Sequence, residues 1–600
     1  MSYYIQDPHR LIRFSGLILI LCWVILVSYW YDDFYQNFLN LRSVFWVLSL
    51  GYYGLLFLAI NIIFFPLLLI KSFRPIYLSL NVGAPFVLVL DRVIYEKYMF
   101  HINPVMIDLV IADFAGMGLP IIVYLFLSVI ALVLGGVLYF LWFLSSRFTS
   151  SVVYYWVLGL VFLFSLFYYL VSSWAYEFNR SDVIGQVNRL PFYTEVTDEV
   201  IAKKLNAYWP SVFSAESMGE SGLSMALGGK FDYPKSDVNC EFQSDKNILL
   251  IVVDSWQAFT LDPEVTPNLY KFANERGQIF RNHYSSGSVT VTGLFGLMTG
   301  LHGSYYELFR SNNHRSEFYA AIKGTGFVQN ILTTNDMSRF SLRSILFDDI
   351  DEGYYFNESD SEVVSQYLGK LKIRQQSYSG YFDMIFLSSP HSPYKYPDEF
   401  SKFRPLPKIK GGYAVDSDAD RAPYYNDYKN SIFYVDDLIG KMLSAISLKD
   451  GLENTWIVIT GDHAEEFNEN ELGYWGHGSN FTLWQTQVPF VFYVPGMESG
   501  EFFERSTHQD LAPTLMSRAL GCSSSFDQYA NGYDLFNLPA DRDLIFTSYF
   551  DKAYLIGDSV YESVAGRRYK IDDLDGLAQP LDVVRLRNLI AEESRFLGMH

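Results

Sequence analysis

Asn247-Ile248-Leu249-Leu250-Ile251-Val252-Val253-Asp254-Ser255 decides the fold of the C-terminal part of this chain. Ile248 to Val253 are all large aliphatics, too short a run for a helix, and they end at a carboxylate and a hydroxyl. That reads as a strand. The same grammar recurs downstream, with strands expected over 248–253, 278–282, 327–333, 384–388, 456–460, 488–494 and 544–549. Amphipathic helical stretches lie between them at 267–275, 292–299, 424–446 and 510–519. Strand and helix in alternation predict an α/β domain over 247–600, its largely parallel central sheet covered by helices on both faces. Ligands of such sheets collect beyond the C-terminal ends of the strands.

Upstream the composition is different. The chain has 600 residues, more than one ordinary core. Residues 11–175 are dominated by Leu, Ile, Val, Phe, Tyr and Trp, and almost all the acidic residues behind the net charge of -20 lie beyond 176. Nucleic acid is excluded as a partner, because no basic stripe exists to displace counterions from phosphates. About 20 apolar residues span a bilayer as helix, and five stretches qualify: 11–31, 44–70, 76–95, 118–143 and 152–174. The third is the most polar, with Asn81, Gly83, Pro85 and then Asp91-Arg92, which reads as a helix end with a local ion pair or as an intramembrane functional site.

Basic residues set the direction. Arg10 and Arg13 precede the first span, Lys71 and Arg74 lie between the second and third, and Arg147 between the fourth and fifth. The alternate loops hold Asp32, Asp33, Asp108 and Asp113, with Arg42, Arg92 and Lys97 as a basic minority. The bias places the N-terminus in the cytoplasm and everything after 175 outside it. The first span resembles a signal peptide only in part: no small-residue cleavage pattern follows it, and Tyr29-Trp30-Tyr31 reads as an interfacial anchor. Residues 97–104 are too polar for lipid and read as an interfacial segment. A connector is expected over 176–246, with a helical piece at 194–208 and a Gly/Ser-rich stretch at 214–229. The organisation is therefore 1–175 transmembrane, 176–246 connector and 247–600 α/β domain.

Of the three cysteines, Cys22 sits in an apolar run as a small packing residue, whereas Cys240 and Cys522 lie in the polar half, where an extracytoplasmic setting permits one disulfide. No Cys-x-x-Cys pair exists to build a structural zinc ribbon.

Asp254 closes one strand, and Asp462-His463 closes another in Ile457-Val458-Ile459-Thr460-Gly461-Asp462-His463. A strand-end Asp is commonly a cap for the next helix. Together the three offer hard oxygen and imidazole donors suited to zinc or manganese. The segment 285–293 leads into an apolar helix through Thr290, a hydroxyl that serves there either as an N-cap or as a nucleophile activated by a cation and a helix N-terminus. The residues alone leave both readings open.

Asp254, Thr290, His391-Ser392-Pro393-Tyr394, Gly461-Asp462-His463-Ala464-Glu465-Glu466 and Gly476-His477-Gly478 occur in the order seen in the alkaline-phosphatase/sulfatase superfamily. The pattern is most similar to its membrane-anchored phosphoethanolamine and phosphoglycerol transferases, over about residues 247–540. The resemblance implies a divalent metal held by Asp254, Thr290, Asp462 and His463, with Thr290 as covalent acceptor. It implies that His391 and His477 contact the transferred group or a second metal and protonate a leaving oxygen. His508, in Thr507-His508-Gln509-Asp510, resembles a further superfamily segment or is structural. Nothing around Thr290 matches the Cys/Ser-x-Pro-x-Arg of formylglycine sulfatases, so the resemblance favours phosphoryl chemistry.

The whole chain, through His101-Ile102-Asn103-Pro104, Leu109-Val110 and Gly532-Tyr533-Asp534-Leu535-Phe536-Asn537, resembles the YejM/PbgA family of Gram-negative inner-membrane proteins. That resemblance implies an inner-membrane location with a periplasmic C-terminal domain. It also implies phospholipid (cardiolipin) or lipopolysaccharide as partners, with a cytoplasmic or membrane protein partner for a regulatory member. Its best-known members lack much of the metal site, whereas this chain keeps Asp462-His463 and His477. Two functions are expected: a metal-dependent phosphatase or phosphotransferase of envelope lipid or glycan phosphoesters, or a non-catalytic lipid-binding regulator. In the second, Arg180, Arg189 and Lys203-Lys204 are either lipid-phosphate contacts or ordinary solvated charges.

Overall fold

The computed structural model describes residues 7–36, 41–98, 101–102, 121–147, 152–177, 190–192, 204, 230–241, 246–338, 341–374, 380–408, 419–449, 452–549, 551–563 and 567–598. The chain divides into two units, Met1–Met225 and Ala226–His600.

Apolar runs upstream form α1 (Pro8–Gln36), α2 (Leu41–Ile63), α3 (Arg74–Tyr98), α4 (Ile121–Arg147) and α5 (Val152–Glu177). All five are long and apolar enough to cross a membrane. The second ends at Ile63, short of the expected 70, because Pro66 has no N–H to donate and its ring crowds the preceding turn. A separate short turn, Pro66–Leu69, follows.

Several polar groups inside this unit pair with one another. Ser15 Oγ donates to Asn81 Oδ1 at 2.6 Å and Tyr77 to Asn61 Oδ1 at 2.6 Å, joining α1, α2 and α3. Ser165 Oγ of α5 donates to the Gly51 carbonyl of α2 at 2.9 Å. Arg10 and Arg13 reach the carbonyls of Trp142 and Ser145 at the C-terminal end of α4, where cations satisfy unpaired carbonyls and favour the helix dipole. Leu11, Leu68 and Tyr77 pack together at that same end, beside Trp142.

Asp91 departs from the expected local pair with Arg92. It is fully buried, and its Oδ2 accepts from Tyr29 at 2.8 Å and meets His101 Nδ1 at 2.7 Å, while Oδ1 accepts from the Ile102 amide at 2.6 Å. Successive helical residues do not face each other, and the Arg92 guanidinium lies over the Tyr29 ring. Of the expected interfacial segment 97–104, residues 97–98 instead end α3 and residues 101–102 are described, whereas 99–100 and 103–104 fall outside the described residues. So do the helical piece at 194–208, apart from Lys204, the Gly/Ser-rich stretch at 214–229, and Arg180, Arg189 and Lys203.

In the second unit the expected sheet forms from β1 (Asn247–Val253), β2 (Gln278–Phe280), β3 (Val328–Thr333), β4 (Tyr354–Phe356), β5 (Tyr381–Leu387), β6 (Thr455–Gly461), β7 (Phe490–Tyr493) and β8 (Gly500–Phe502). Their order is β8-β2-β7-β6-β1-β5-β3-β4. All run parallel except β7, which is antiparallel to both of its neighbours. Period-two alternation explains the unbroken apolar run of β1. Ile248, Leu250 and Val252 enter one core with α6 (Thr290–Thr299), whereas Leu249, Ile251 and Val253 enter the opposite core with α7 (Arg421–Lys449). The sheet is thus covered on both faces.

The strand expected at 544–549 forms as Leu544–Thr547 but lies in a separate four-stranded antiparallel sheet with Lys552–Ile556, Ser559–Glu562 and Arg568–Lys570. Part of the expected connector is also built into this unit: Lys230–Phe231 pairs with Leu597–Gly598, and Cys240 is disulfide-bonded to Cys522.

Candidate functional site

Register builds the site. β1 and β6 pair in parallel with Val253 opposite Gly461, so the next residue of each strand, Asp254 and Asp462, emerges side by side at the C-terminal edge. The Asp462 amide donates to the Val253 carbonyl at 3.2 Å and the Asp254 amide to Leu387 at 2.8 Å, fixing both strand ends. Gly293, in the first turn of α6, lets that helix abut this edge, since a Cβ there would strike the Asp462 carbonyl. The helix start consequently delivers Thr290, whose Oγ1 lies 3.2 Å from His463 Nε2.

Thr290 is not a cap. Val289 occupies the N-cap position of α6, and no side chain caps the helix. Asp254, Asp462 and His463 each offer a ligand atom, all within 4.8 Å of one another. The His463 ring is oriented by Nδ1, 3.0 Å from the Ala464 carbonyl, which makes Nδ1 the donor and turns an unprotonated Nε2 inward. That Nε2 is 3.5 Å from Asp462 Oδ2 and 3.7 Å from Asp254 Oδ1. Asp462 Oδ1 accepts from the amides of Ser255 (3.0 Å) and His463 (2.8 Å), leaving the buried Oδ2 without a hydrogen-bond partner.

Both carboxyls are held above their ordinary range. Burial is the main cause for Asp254, followed by the charge of Asp462, and burial pushes Asp462 up to about 6 against its two amide bonds, the Thr290 hydroxyl and the His477 charge. Burial likewise drives His463 well below the usual imidazole value, keeping it neutral. Among the described residues no Lys or Arg pairs with either carboxylate. Two buried carboxylates, an orphaned oxygen and an inward imidazole lone pair are short of positive charge. A divalent cation fits that deficit.

His477 and His391 lie beside this trio, with His477 4.2 Å from the His463 ring and 5.4 Å from the His391 ring, centroid to centroid. Buried Glu465 accepts from His477 Nδ1 at 2.7 Å and from the Tyr394 hydroxyl at 3.1 Å. Burial opposes charge on both partners, but the attraction between them outweighs it, so Glu465 is held low and His477 high. His391 moves the other way, lowered by burial and by the His477 charge. Its loop is tied down by buried Asp360, which accepts from the amides of Ser388 (2.9 Å) and Ser389 (2.8 Å).

The structure therefore gathers Asp254, Thr290, Asp462, His463, His391 and His477, and leaves His508 behind the ligand trio and outside it. His508 Nδ1 is 3.2 Å from the Gly293 carbonyl, behind the first turn of α6, and burial pushes the imidazole down to about 3. Sequence reasoning passed over Glu465 and Asp360. Glu465 stands two residues after His463, but only the folded loop carries His477 onto it.

An α/β domain with a buried carboxylate–imidazole cluster at its strand ends, in a chain that also carries helices long and apolar enough to cross a membrane, is the class that fold and site define. Residues 246–522 match the Sulfatase family, and residues 10–240 match a family described as a domain of unknown function, DUF3413. The chain is 23% identical over 514 residues to an uncharacterized protein of Haemophilus influenzae, covering 83% of this chain and 80% of that one. It is 24% identical over 309 residues to the inner membrane protein YejM of Salmonella typhimurium, covering 51% of this chain and 47% of YejM. Among solved structures, the C-terminal periplasmic domain of the phosphoethanolamine transferase EptC from Campylobacter jejuni aligns with a TM-score of 0.40 at 20% identity, over 50% of this chain and 97% of that domain. The chain is thus similar to the YejM inner membrane proteins and matches the Sulfatase family over residues 246–522, and its match spans about half the length of those YejM relatives.

Proposed function

We propose that this chain is an inner-membrane, metal-dependent phosphatase or phosphotransferase that acts on envelope lipid or glycan phosphoesters through Thr290. The observation that carries the reading is the buried Asp254/Asp462/His463 trio with the Thr290 hydroxyl 3.2 Å from its imidazole. Asp254, Asp462, His463 and Thr290 would hold zinc or manganese. The cation, when bound, polarises a phosphoryl oxygen and lowers the pKa of the Thr290 hydroxyl.

Thr290 gives up its hydroxyl proton to solvent, and its Oγ1 bonds to phosphorus as the bond from phosphorus to the departing alkoxide breaks. His477, kept protonated by Glu465, supplies the proton that this oxygen takes up. His391, kept neutral by burial, accepts the proton of the water or acceptor hydroxyl that next attacks phosphorus and releases Thr290. A pair of titrating groups pushed in opposite directions suits successive acid and base roles.

The orientation proposed is N-terminus in the cytoplasm and C-terminal unit in the periplasm. Two features support it: Arg10, Arg13 and the end of α4 gather at one end of the helical unit, and the Cys240–Cys522 disulfide suits an oxidising compartment. Phospholipid or lipopolysaccharide is the proposed lipid partner.

The test is turnover of a phosphodiester by the full chain in detergent. Wild type is expected to release alcohol in a chelator-sensitive reaction that Thr290→Ala abolishes. Equal turnover in the two proteins would remove the reading. Full replacement of wild type in cells by a Thr290→Ala, Asp462→Ala double variant would instead support the lipid-binding regulator, with a cytoplasmic or membrane protein partner.

A further inference from the structure

Metal-ligand geometry depends on what holds the ligands, and here the turn after Asp254 is held from outside the strand edge. Ser255 adopts the left-handed conformation at φ 60°, which a non-glycine residue occupies only when its surroundings enforce it. In that conformation its amide points at Asp462 and donates to Oδ1 at 3.0 Å. A Ser255 that relaxed would release one of the two amides that orient the Asp462 carboxylate.

The enforcing group is Tyr428 on α7. Its hydroxyl donates to the Ser255 carbonyl at 2.8 Å and accepts from the Gln257 amide at 2.8 Å, so one oxygen closes the turn from both sides. The side chain is fully buried, and its ring is fixed against Phe467 at 4.9 Å and Tyr394 at 5.8 Å. One turn earlier on the same helix, Tyr425 donates to Gln257 Oε1 at 3.2 Å, and Gln257 Nε2 continues to the Glu465 carbonyl at 3.2 Å. Helix α7 thus holds both ligand-bearing segments, 254–257 and 462–465. Gly461 lets them close, because a Cβ there would come within 2.8 Å of Trp256 Cβ.

We infer that Tyr428 is a positioning residue of the metal site: through the Ser255–Gln257 turn it sets the Asp254 and Asp462 carboxylates for the cation, without touching cation or substrate. The inference rests on the proposed metal reading and deepens it.

The experiment is zinc affinity of the full chain in detergent, by competition with a chromophoric chelator, alongside thermal unfolding of the zinc-free protein. Tyr428→Phe is expected to weaken zinc binding roughly 10-fold or more, as outer-shell changes do. Tyr493→Phe is the control. It removes a buried hydroxyl that donates to the Leu452 carbonyl at 3.0 Å, at the opposite end of the sheet, and is expected to lower thermal stability with unchanged zinc affinity. Unchanged zinc affinity in Tyr428→Phe, or an equal loss in Tyr493→Phe, overturns the inference while leaving the metal reading in place. Wild type that binds no zinc overturns both. Should Tyr428→Phe not fold, Tyr425→Phe carries the test. A severalfold weaker affinity supports the inference there, and wild-type affinity overturns it.

Discussion

Asp91 in the helical unit and Asp462 in the α/β unit are both fully buried carboxylates, and they differ in one respect. Among the described residues, every bond Asp91 makes is to a donor of its own unit: the Tyr29 hydroxyl, the His101 ring and the Ile102 amide. Asp462 satisfies one oxygen with two amides and leaves the other without a hydrogen-bond partner, beside Asp254, the Thr290 hydroxyl and a lone-pair imidazole. A buried polar network that closes on itself specifies packing; one left open on the side of its charge is built for something that binds. The same residue type at the same burial is closed by its own unit in one case and left open in the other.

That contrast breaks or sharpens under substitution. The largest effect is expected at the open site, where Thr290→Ala should lower phosphodiester turnover roughly 10,000-fold, the scale of removing a covalent nucleophile. Measurable residual turnover close to wild type would detach the chemistry from this hydroxyl. Next, Asp462→Asn should weaken zinc binding roughly 1,000-fold, beyond the losses typical of outer-shell changes. In metal-stripped protein the same change should raise stability by about 1 kcal/mol, because it removes one of two repelling buried carboxylates. Denaturant unfolding with and without chelator separates the two effects.

At the closed site the sign reverses. Asp91→Ala should destabilise the helical unit by about 3 kcal/mol, since it strands the groups that now bond the carboxylate. Zinc affinity should not change. A neutral or stabilising result in a detergent melting curve would show that this network too is open. Smallest is Tyr29→Phe, which removes one of the donors to Asp91 and should cost about 1 kcal/mol in the same measurement.

Local pattern made much of this legible. Apolar run length located all five long helices and six of the eight strands of the main sheet, missing the three-residue edge strands Tyr354–Phe356 and Gly500–Phe502, and the alternation of strand and helix set the sheet class. What escaped was non-local. Pro66 ends the second helix, although hydropathy continues past it to residue 70. Leu544–Thr547 reads as a strand in any sheet, and its pairing with Lys552–Ile556, decided by the following hairpin, places it in the smaller one. Asp91 finds its partner in His101, beyond the helix end, and not in its neighbour Arg92. In the site, Asp254 and Asp462 each announce a strand end, but only the register of β1 on β6, across some two hundred residues, sets them abreast. Tyr428 carries no local signal: one tyrosine among many, it gains its role because α7 lies across the turn after β1.

The most direct test is the divalent metal content of the full-length chain after exhaustive dialysis, wild type against Asp462→Asn. About one zinc or manganese ion per wild-type chain, lost in the variant, is the expected result. Equal metal content in the two proteins would contradict the account, because the open carboxylate would then not be the place where the cation is held.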